Sequence, residues 1–257
     1  MSSDTRTNTT DSPLSSPDVY CPVLMIASPG PGHGKTMLSA LVARLHLNKG
    51  RKVQVFKAGS DLSDHTVLEC ASGQKVLSID LLTMSELAIK RVLYHAAYES
   101  DLIIIECAKG LFDGQARGSH ADLARLLGVP IVVVIDAQGI NQTFGAIAHG
   151  MQSFQPDLPF GGVIANGMSN VDHFQRIKQG TPARVPLIAG IPRDKKLALP
   201  ARYLASIQPR DCHDLDRWLE EAIDTLISSR FTAGIERLPE AICFSLPRST
   251  QFGCRDF

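Results

Sequence analysis

The chain has 257 residues, of which 44% are hydrophobic and 20% are charged, a composition typical of a folded globular protein. Its 26 Lys and Arg residues balance 26 Asp and Glu residues, so it lacks the basic excess that favours binding to nucleic acid. The longest apolar runs are far shorter than the roughly 20 residues that cross a bilayer, which argues against a membrane partner.

The N-terminus and the cysteines bear on the cellular location. Residues 1–20 are polar and rich in Ser and Thr, which predicts a disordered leader without the apolar core of a signal peptide. The six cysteines are scattered and form no CxxC pair, which disfavours both a zinc site and a disulfide framework. We therefore predict a cytoplasmic protein.

Short apolar runs alternate with helical patterns between residues 22 and 192. This alternation predicts an α/β fold, with a mostly parallel sheet that carries helices on both faces. The predicted strands are Val23–Ala27, Val53–Phe56, Leu102–Ile105, Ile131–Ile135, Gly162–Ala165 and Leu187–Ile191. The predicted helices are Thr36–Lys49, Ser85–Ser100, His120–Leu127 and Asp214–Ser228. Capping boxes are predicted at Thr83/Glu86 and at Ser119/Asp122.

The last stretch of the chain has a different character from the alternating region. Residues 230–257 contain proline and glycine without a clear hydrophobic period, which predicts an irregular C-terminal tail. The predicted domain therefore spans residues 21–229.

The strongest chemical signal is the run Ser28–Thr36, SPGPGHGKT, between the first predicted strand and the first predicted helix. Its glycines let backbone N–H groups point at a phosphate, Lys35 can reach the outer phosphates, and Thr36 can offer its hydroxyl to Mg²⁺. The strict P-loop pattern has Gly where Pro29 stands, and a Gly/Pro-rich turn is the structural alternative. The motif predicts a P-loop NTPase-like fold. The predicted nucleotide-binding residues of the loop are Gly30, Pro31, Gly32, His33, Gly34, Lys35, Thr36 and Met37.

A phosphate-bound Mg²⁺ needs more oxygen ligands, and carboxylates at the C-terminal ends of neighbouring strands are the candidates. Glu106 directly follows the third predicted strand, and Asp61 and Asp64 follow the second. We predict Thr36, Glu106 and either Asp61 or Asp64 as metal ligands. The alternatives are a solvated strand-end glutamate and an ordinary Asx turn. The predicted catalytic residues are Lys35, Glu106 and Asp61.

Several segments, taken in order, resemble the N-terminal synthetase domain of cobyrinic acid a,c-diamide synthase. That family lies in the P-loop group of dethiobiotin synthetase and the ParA/MinD-type partitioning ATPases. The resemblance runs from about Val23 to Leu204. Its segments are Gly34–Thr36, Phe56–Asp64, Glu106–Gly114, Gly118–Leu127, Val134–Ala137, Gly162–Asn166, Gly190–Asp194 and Leu197–Pro200.

The resemblance implies ATP and Mg²⁺ as cofactors and a small-molecule carboxylate, in that family a corrin, as the substrate. The family's domain phosphorylates the carboxylate, and ammonia then displaces the phosphate to give an amide. The resemblance also implies that Asn166 reads the adenine edge, with Pro192 and Arg193 on the opposite side of the base.

The sequence also departs from the family pattern. The departures nearest the expected site are Pro31, Ser60, His65, Cys107, Lys109 and Gly167. The family's glutaminase domain has no counterpart after Leu204, so we expect the ammonia to be free or to come from a separate glutaminase chain. Two alternatives stay open. One is a regulatory ATPase of the partitioning type that forms a homodimer, and the other is a nucleotide-binding subunit without turnover.

Overall fold

The structure is a computed structural model that describes residues 17–59, 61, 64–114, 118–200 and 212–246. The strands are β1 (Val19–Ala27), β2 (Val53–Ala58), β3 (Leu77–Ile79), β4 (Leu102–Cys107), β5 (Ile131–Asp136), β6 (Phe160–Met168), β7 (Leu187–Pro192) and β8 (Ala241–Phe244). The helices are α1 (Lys35–Asn48), α2 (His65–Ser72), α3 (Glu86–Glu99), α4 (His120–Leu127), α5 (Thr143–Ser153), α6 (Val171–Gly180) and α7 (Cys212–Ile227). None of these helices is long and apolar enough to cross a membrane.

The strands of the described residues form one sheet in the order β3-β2-β4-β1-β5-β6-β7. All neighbours along this order are parallel, and β8 pairs antiparallel with the first half of β1. The chain passes from β4 on one side of β1 to β5 on the other, so the direction of winding reverses beside β1. Open α/β sheets bind ligands at the carboxyl ends of their strands at such a reversal.

Helices cover both faces of the sheet, as predicted. One face packs against α1, α2 and α7, and the other packs against α3, α4, α5 and α6. Buried residues of the first layer include Ile26, Leu41, Leu68, Ile104 and Leu219. Buried residues of the second layer include Met25, Ile89, Ile105, Ala121, Phe144 and Ile177. Every residue of β4 is buried because this strand is covered on both faces. The fold is therefore α/β, with a parallel sheet of the P-loop NTPase type.

The ends of the domain differ from the sequence-based expectation. β1 begins at Val19, inside the predicted leader, and β8 lies inside the predicted irregular tail. The two segments pair with each other, with Val19 opposite Phe244, so backbone hydrogen bonds rather than side-chain periodicity define them. The remainder of the predicted leader, residues 1–16, and residues 247–257 of the tail lie outside the described residues.

One predicted cap is correct and one is wrong. Ser119 Oγ accepts from the N–H of Asp122 and the Asp122 carboxylate accepts from the N–H of Ser119, at 3.2 and 3.1 Å, which is the predicted capping box. At α3, however, the N-cap is Ser85, whose hydroxyl accepts from the N–H of Ala88 at 3.2 Å. The Thr83/Glu86 box fails because Thr83 is still in the preceding turn, where its N–H bonds to Asp80 O.

Candidate functional site

The loop between β1 and α1 curls around the side chain of Lys35. Gly32 and Gly34 have φ values of +82° and +91°, a backbone conformation that residues with a Cβ rarely adopt. Lys35, the first residue of α1, is 7% exposed, and its Nζ donates to Ser28 Oγ at 2.8 Å and to Gly30 O at 3.2 Å. Burial lowers the pKa of Lys35, although the nearby Glu106 carboxylate opposes this shift. The ammonium therefore lies inside the loop, where an anionic phosphate would meet it.

Two carboxylates meet beside this loop at the carboxyl ends of β2 and β4. Thr36 Oγ1 lies 3.0 Å from Asp64 Oδ2 and 2.9 Å from Glu106 Oε1. Lys57 Nζ donates to the same two oxygens, at 2.9 and 2.8 Å. The parallel register sets Glu106 beside Lys57 of β2 and beside Ile26 of β1. The strands themselves therefore bring this cluster to the phosphate loop.

The cluster provides oxygen ligands suited to a hard divalent cation. Among the described residues, Glu106 Oε2 is buried and has no hydrogen-bond partner, so one carboxylate oxygen remains available to a cation. The described ranges hold no group of three or more His, Cys, Asp or Glu side chains that could bind a metal by themselves. Mg²⁺ in nucleotide sites is held by one or two carboxylates together with phosphate oxygens and water. Thr36, Asp64 and Glu106 fit that pattern.

The structure separates the two candidate aspartates. Asp64 is nearly buried and lies at hydrogen-bond distance from Thr36 and Lys57. Asp61 is exposed and also contributes to the wall of the cleft. Asp64 is thus the aspartate whose geometry suits a shared metal with Thr36 and Glu106.

A cleft of about 550 Å³ extends from the cluster along the carboxyl edge of the sheet. Its wall contains most of the predicted nucleotide-binding residues, namely Pro31, Gly32, Gly34, Lys35, Thr36, Met37, Asn166, Pro192 and Arg193. Gly30 and His33, also predicted, belong to the loop but not to this wall.

The wall of the cleft also contains Asn166 on β6, which contacts the phosphate loop. Asn166 Nδ2 donates to His33 O at 3.0 Å, and His33 Nδ1 accepts from the N–H of Asp136 at 2.9 Å. Burial lowers the pKa of His33, which keeps its ring available as an acceptor. These two hydrogen bonds attach the phosphate loop to the carboxyl ends of β5 and β6.

The loop after β4 is attached to the phosphate loop. The N–H of Leu111 donates to Ser28 O at 2.9 Å, and a Cβ added to Gly110 would lie 2.7 Å from Pro29 O.

Cys107 at the end of β4 is fully buried, and burial raises the pKa of its thiol. Lys109, in the same loop, is exposed. The buried thiol is therefore not a reactive thiolate at neutral pH.

Sequence reasoning missed several residues of the cleft. Lys57 was not assigned a role, although a lysine that continues the apolar run Val53–Phe56 is a usable signal, because a buried charge requires a partner. Gln138 also lines the cleft, two residues beyond Asp136 at the end of β5. Leu197, Ala198 and Leu199 also line the cleft, and they were assigned no role from the sequence beyond their place in the resembling segment Leu197–Pro200.

The chain is similar in sequence to known proteins. The family model of the CobQ/CobB/MinD/ParA nucleotide binding domain matches residues 24–207. Hydrogenobyrinate a,c-diamide synthase of Stutzerimonas stutzeri is 44% identical over 227 residues, 88% of this chain and 51% of that protein. The enzyme of the same name from Pseudomonas aeruginosa has the same identity and coverage. The chain thus spans about half the length of these relatives.

Among solved structures, the MinD cell division protein of Aquifex aeolicus matches with a TM-score of 0.50 and 13% sequence identity. The match covers 82% of this chain and 98% of that one. At this identity the likeness concerns the fold alone.

Proposed function

Because the chain belongs to the CobQ/CobB/MinD/ParA nucleotide-binding domain family, we propose that it binds ATP with Mg²⁺ and uses them to amidate a carboxylate of a corrin-type acid. The observation that carries the proposal is the convergence of Thr36, Asp64 and Glu106 beside the phosphate loop, in a cleft whose wall also contains Lys35 and Asn166. The names of the two diamide synthases supply the substrate class.

The proposed reaction has two steps. A carboxylate oxygen of the acid attacks the γ-phosphorus of ATP, and the bond to the bridging oxygen breaks to release ADP and leave an acyl phosphate. Ammonia then attacks the acyl carbon, the carbon–oxygen bond to phosphate breaks, and the amide and inorganic phosphate are released, with the proton that the nitrogen loses carried by the phosphate. Both steps depend mainly on positioning and on neutralising phosphate charge.

The residues of the site divide these tasks. The ammonium of Lys35 would bind the outer phosphates in place of its present bonds to Ser28 and Gly30. Thr36, Asp64 and Glu106 would hold Mg²⁺, which when bound neutralises charge on the phosphates. Asn166, Pro192 and Arg193, which line the same cleft, would receive the adenine. Asp61, predicted to be catalytic, would face the reacting groups from the exposed wall.

The nitrogen source belongs to the same proposal. We expect ammonia to enter free or to be delivered by a glutaminase on a separate chain. Cys107, the thiol next to the proposed metal ligand Glu106, does not offer a substitute because it is buried and its pKa is raised. A cytoplasmic location and a homodimer remain predictions.

The test is a turnover assay with cobyrinic or hydrogenobyrinic acid, ATP and Mg²⁺. We expect release of ADP and of the amide with ammonium chloride, and neither product with glutamine alone. Lys35→Ala should bind ATP at least about tenfold more weakly in calorimetry, because a charge-assisted phosphate contact is lost. Lys75→Ala, which removes an exposed lysine outside the cleft, is the matched control.

Other outcomes would identify the alternatives. ATP binding without consumption, in the presence of either nitrogen source, would refute the amidation proposal and favour a nucleotide-binding subunit without turnover. Dimerisation that depends on nucleotide, again without amide formation, would favour a partitioning-type switch. Equal ATP affinity in Lys35→Ala and the wild type would refute the phosphate-loop assignment itself.

A further inference from the structure

Lys57 occupies the space between the proposed metal ligands. Its Nζ lies 2.9 Å from Asp64 Oδ2 and 2.8 Å from Glu106 Oε1, and these are the two oxygens that Thr36 Oγ1 also contacts. The side chains of Lys57 and Glu106 are each 1% exposed, and that of Asp64 is 13% exposed. The ammonium therefore already serves the two carboxylates that the metal would use, through oxygens other than Glu106 Oε2.

The charges of the cluster require a cation at this point. The Thr36 hydroxyl has one proton, so it can donate to only one of the two carboxylate oxygens that it faces. Two buried carboxylates in contact with one hydroxyl would repel each other without a positive charge between them. The side chain that faces both oxygens is Lys57, which donates to each of them as an ammonium and supplies this charge.

We infer that Lys57 is a resident cation that competes with the divalent metal for Asp64 and Glu106, so that the metal binds poorly until a nucleotide accompanies it. This inference rests on the metal site proposed above. A cation held by Thr36, Asp64 and Glu106 would share its two carboxylates with the ammonium, and the repulsion between the two positive charges would displace Lys57. The phosphates of an incoming nucleotide provide the negative charge that receives it.

The test measures the binding of Mg²⁺ alone, without nucleotide and at constant pH, by titration calorimetry. Lys57→Met keeps an unbranched side chain that is one atom shorter and removes its charge, which leaves two buried carboxylates without their cation. We expect this variant to bind Mg²⁺ at least about tenfold more tightly than the wild type, since one resident charge no longer has to be displaced. Mg²⁺ should also raise the melting temperature of Lys57→Met and leave that of the wild type nearly unchanged.

Two variants serve as controls. Lys52→Met removes an exposed lysine that pairs with Glu99 at 3.7 Å, and it should bind Mg²⁺ like the wild type. Lys57→Met combined with Glu106→Gln removes one positive and one negative charge, and it should lose the gain in affinity. If Lys57→Met does not fold without metal, Lys57→Gln, which keeps one hydrogen-bond donor, takes its place.

Equal Mg²⁺ affinity in the wild type and in a folded Lys57 variant would overturn the inference. Wild-type protein that binds Mg²⁺ alone as tightly as it does with ADP would also do so, and this measurement does not depend on any variant. Absence of amide formation together with tighter Mg²⁺ binding by Lys57→Met would refute the proposed function and leave the role of Lys57 standing.

Discussion

Gly34 shows how a single residue can control the phosphate loop. Its φ of +91° disfavours any residue with a Cβ, and a Cβ placed there would lie 2.3 Å from Nδ2 of Asn166. The amide could move aside, but it would then lose its bond to His33 O. A substitution at Gly34 would therefore change both the backbone of the phosphate loop and the position of Asn166.

We expect Gly34→Ala to lower the free energy of unfolding by about 1–2 kcal/mol because of the strained backbone. Its ATP affinity should fall as well, because the loop and Asn166 both shift. Gly30→Ala is the control for stability, since a Cβ at Gly30 meets no atom within 4 Å and its φ is not in the positive region. Urea unfolding and calorimetry measure the two effects. Equal stability of the two variants would contradict the role assigned to Gly34.

The site residues differ in how well they can be predicted from the sequence. Lys35 and Thr36 were predicted because their spacing from the glycines follows directly from the chemistry of a phosphate loop. The choice between Asp61 and Asp64 depends on how the chain turns after β2, which local sequence does not specify. Lys57 escaped prediction because its partners, Asp64 and Glu106, are assembled by strand register, and register is a property of the folded sheet.

At the level of elements, prediction succeeded where a long periodic pattern coincided with a cap. α4 has its exact predicted bounds, with a capping box at Ser119 and Gly128 in the left-handed conformation at its end. α5 contains two glycines in TFGAIAHGMQS, which weakens its helical signal. β3 has only three residues, and β8 is defined by its partner β1. Elements held by tertiary contacts are those that the local pattern misses.

The start of α3 provides a direct test at this level. Ser85 has an extended backbone and its hydroxyl accepts from the N–H of Ala88, whereas Thr83 lies outside the helix. We expect Ser85→Ala to lower the free energy of unfolding by about 1 kcal/mol, because a helix N–H loses its acceptor. Thr83→Ala should change it by less than about 0.5 kcal/mol. Denaturant unfolding measures the free energy of unfolding of both variants. A larger loss in Thr83→Ala than in Ser85→Ala would support the capping box predicted from the sequence.

At the scale of the whole molecule, the fold class followed from the alternation of strands and helices, while the strand order did not. The order decides which loops meet, because it sets β1 between β4 and β5 and so brings Glu106 to the phosphate loop. The sequence indicated which kinds of side chain form the site, and the strand order determines which of these side chains lie next to one another.

Stability of the whole molecule should also depend on pH through buried histidines. His46 is 1% exposed, and burial, followed by the charges of Arg51 and Lys49, lowers its pKa to about 4. Arg51 donates to its Nδ1, which requires a neutral ring. Burial likewise lowers the pKa of His33 and of His120. In each case the unfolded chain takes up a proton before the folded protein does.

Since the pKa of His46 in the folded state lies below the unfolded value near 6.5, its contribution to stability is present above about pH 6.5 and is lost as the pH falls toward 4. At pH 5 this linkage amounts to about 2 kcal/mol. We expect His46→Gln, which keeps an acceptor for Arg51, to lose about 2 kcal/mol less than the wild type between pH 7.5 and 5. Urea unfolding at the two pH values measures the difference, with His95→Gln as the exposed control. Identical losses in His46→Gln and the wild type would show that His46 is not what makes the fold sensitive to acid.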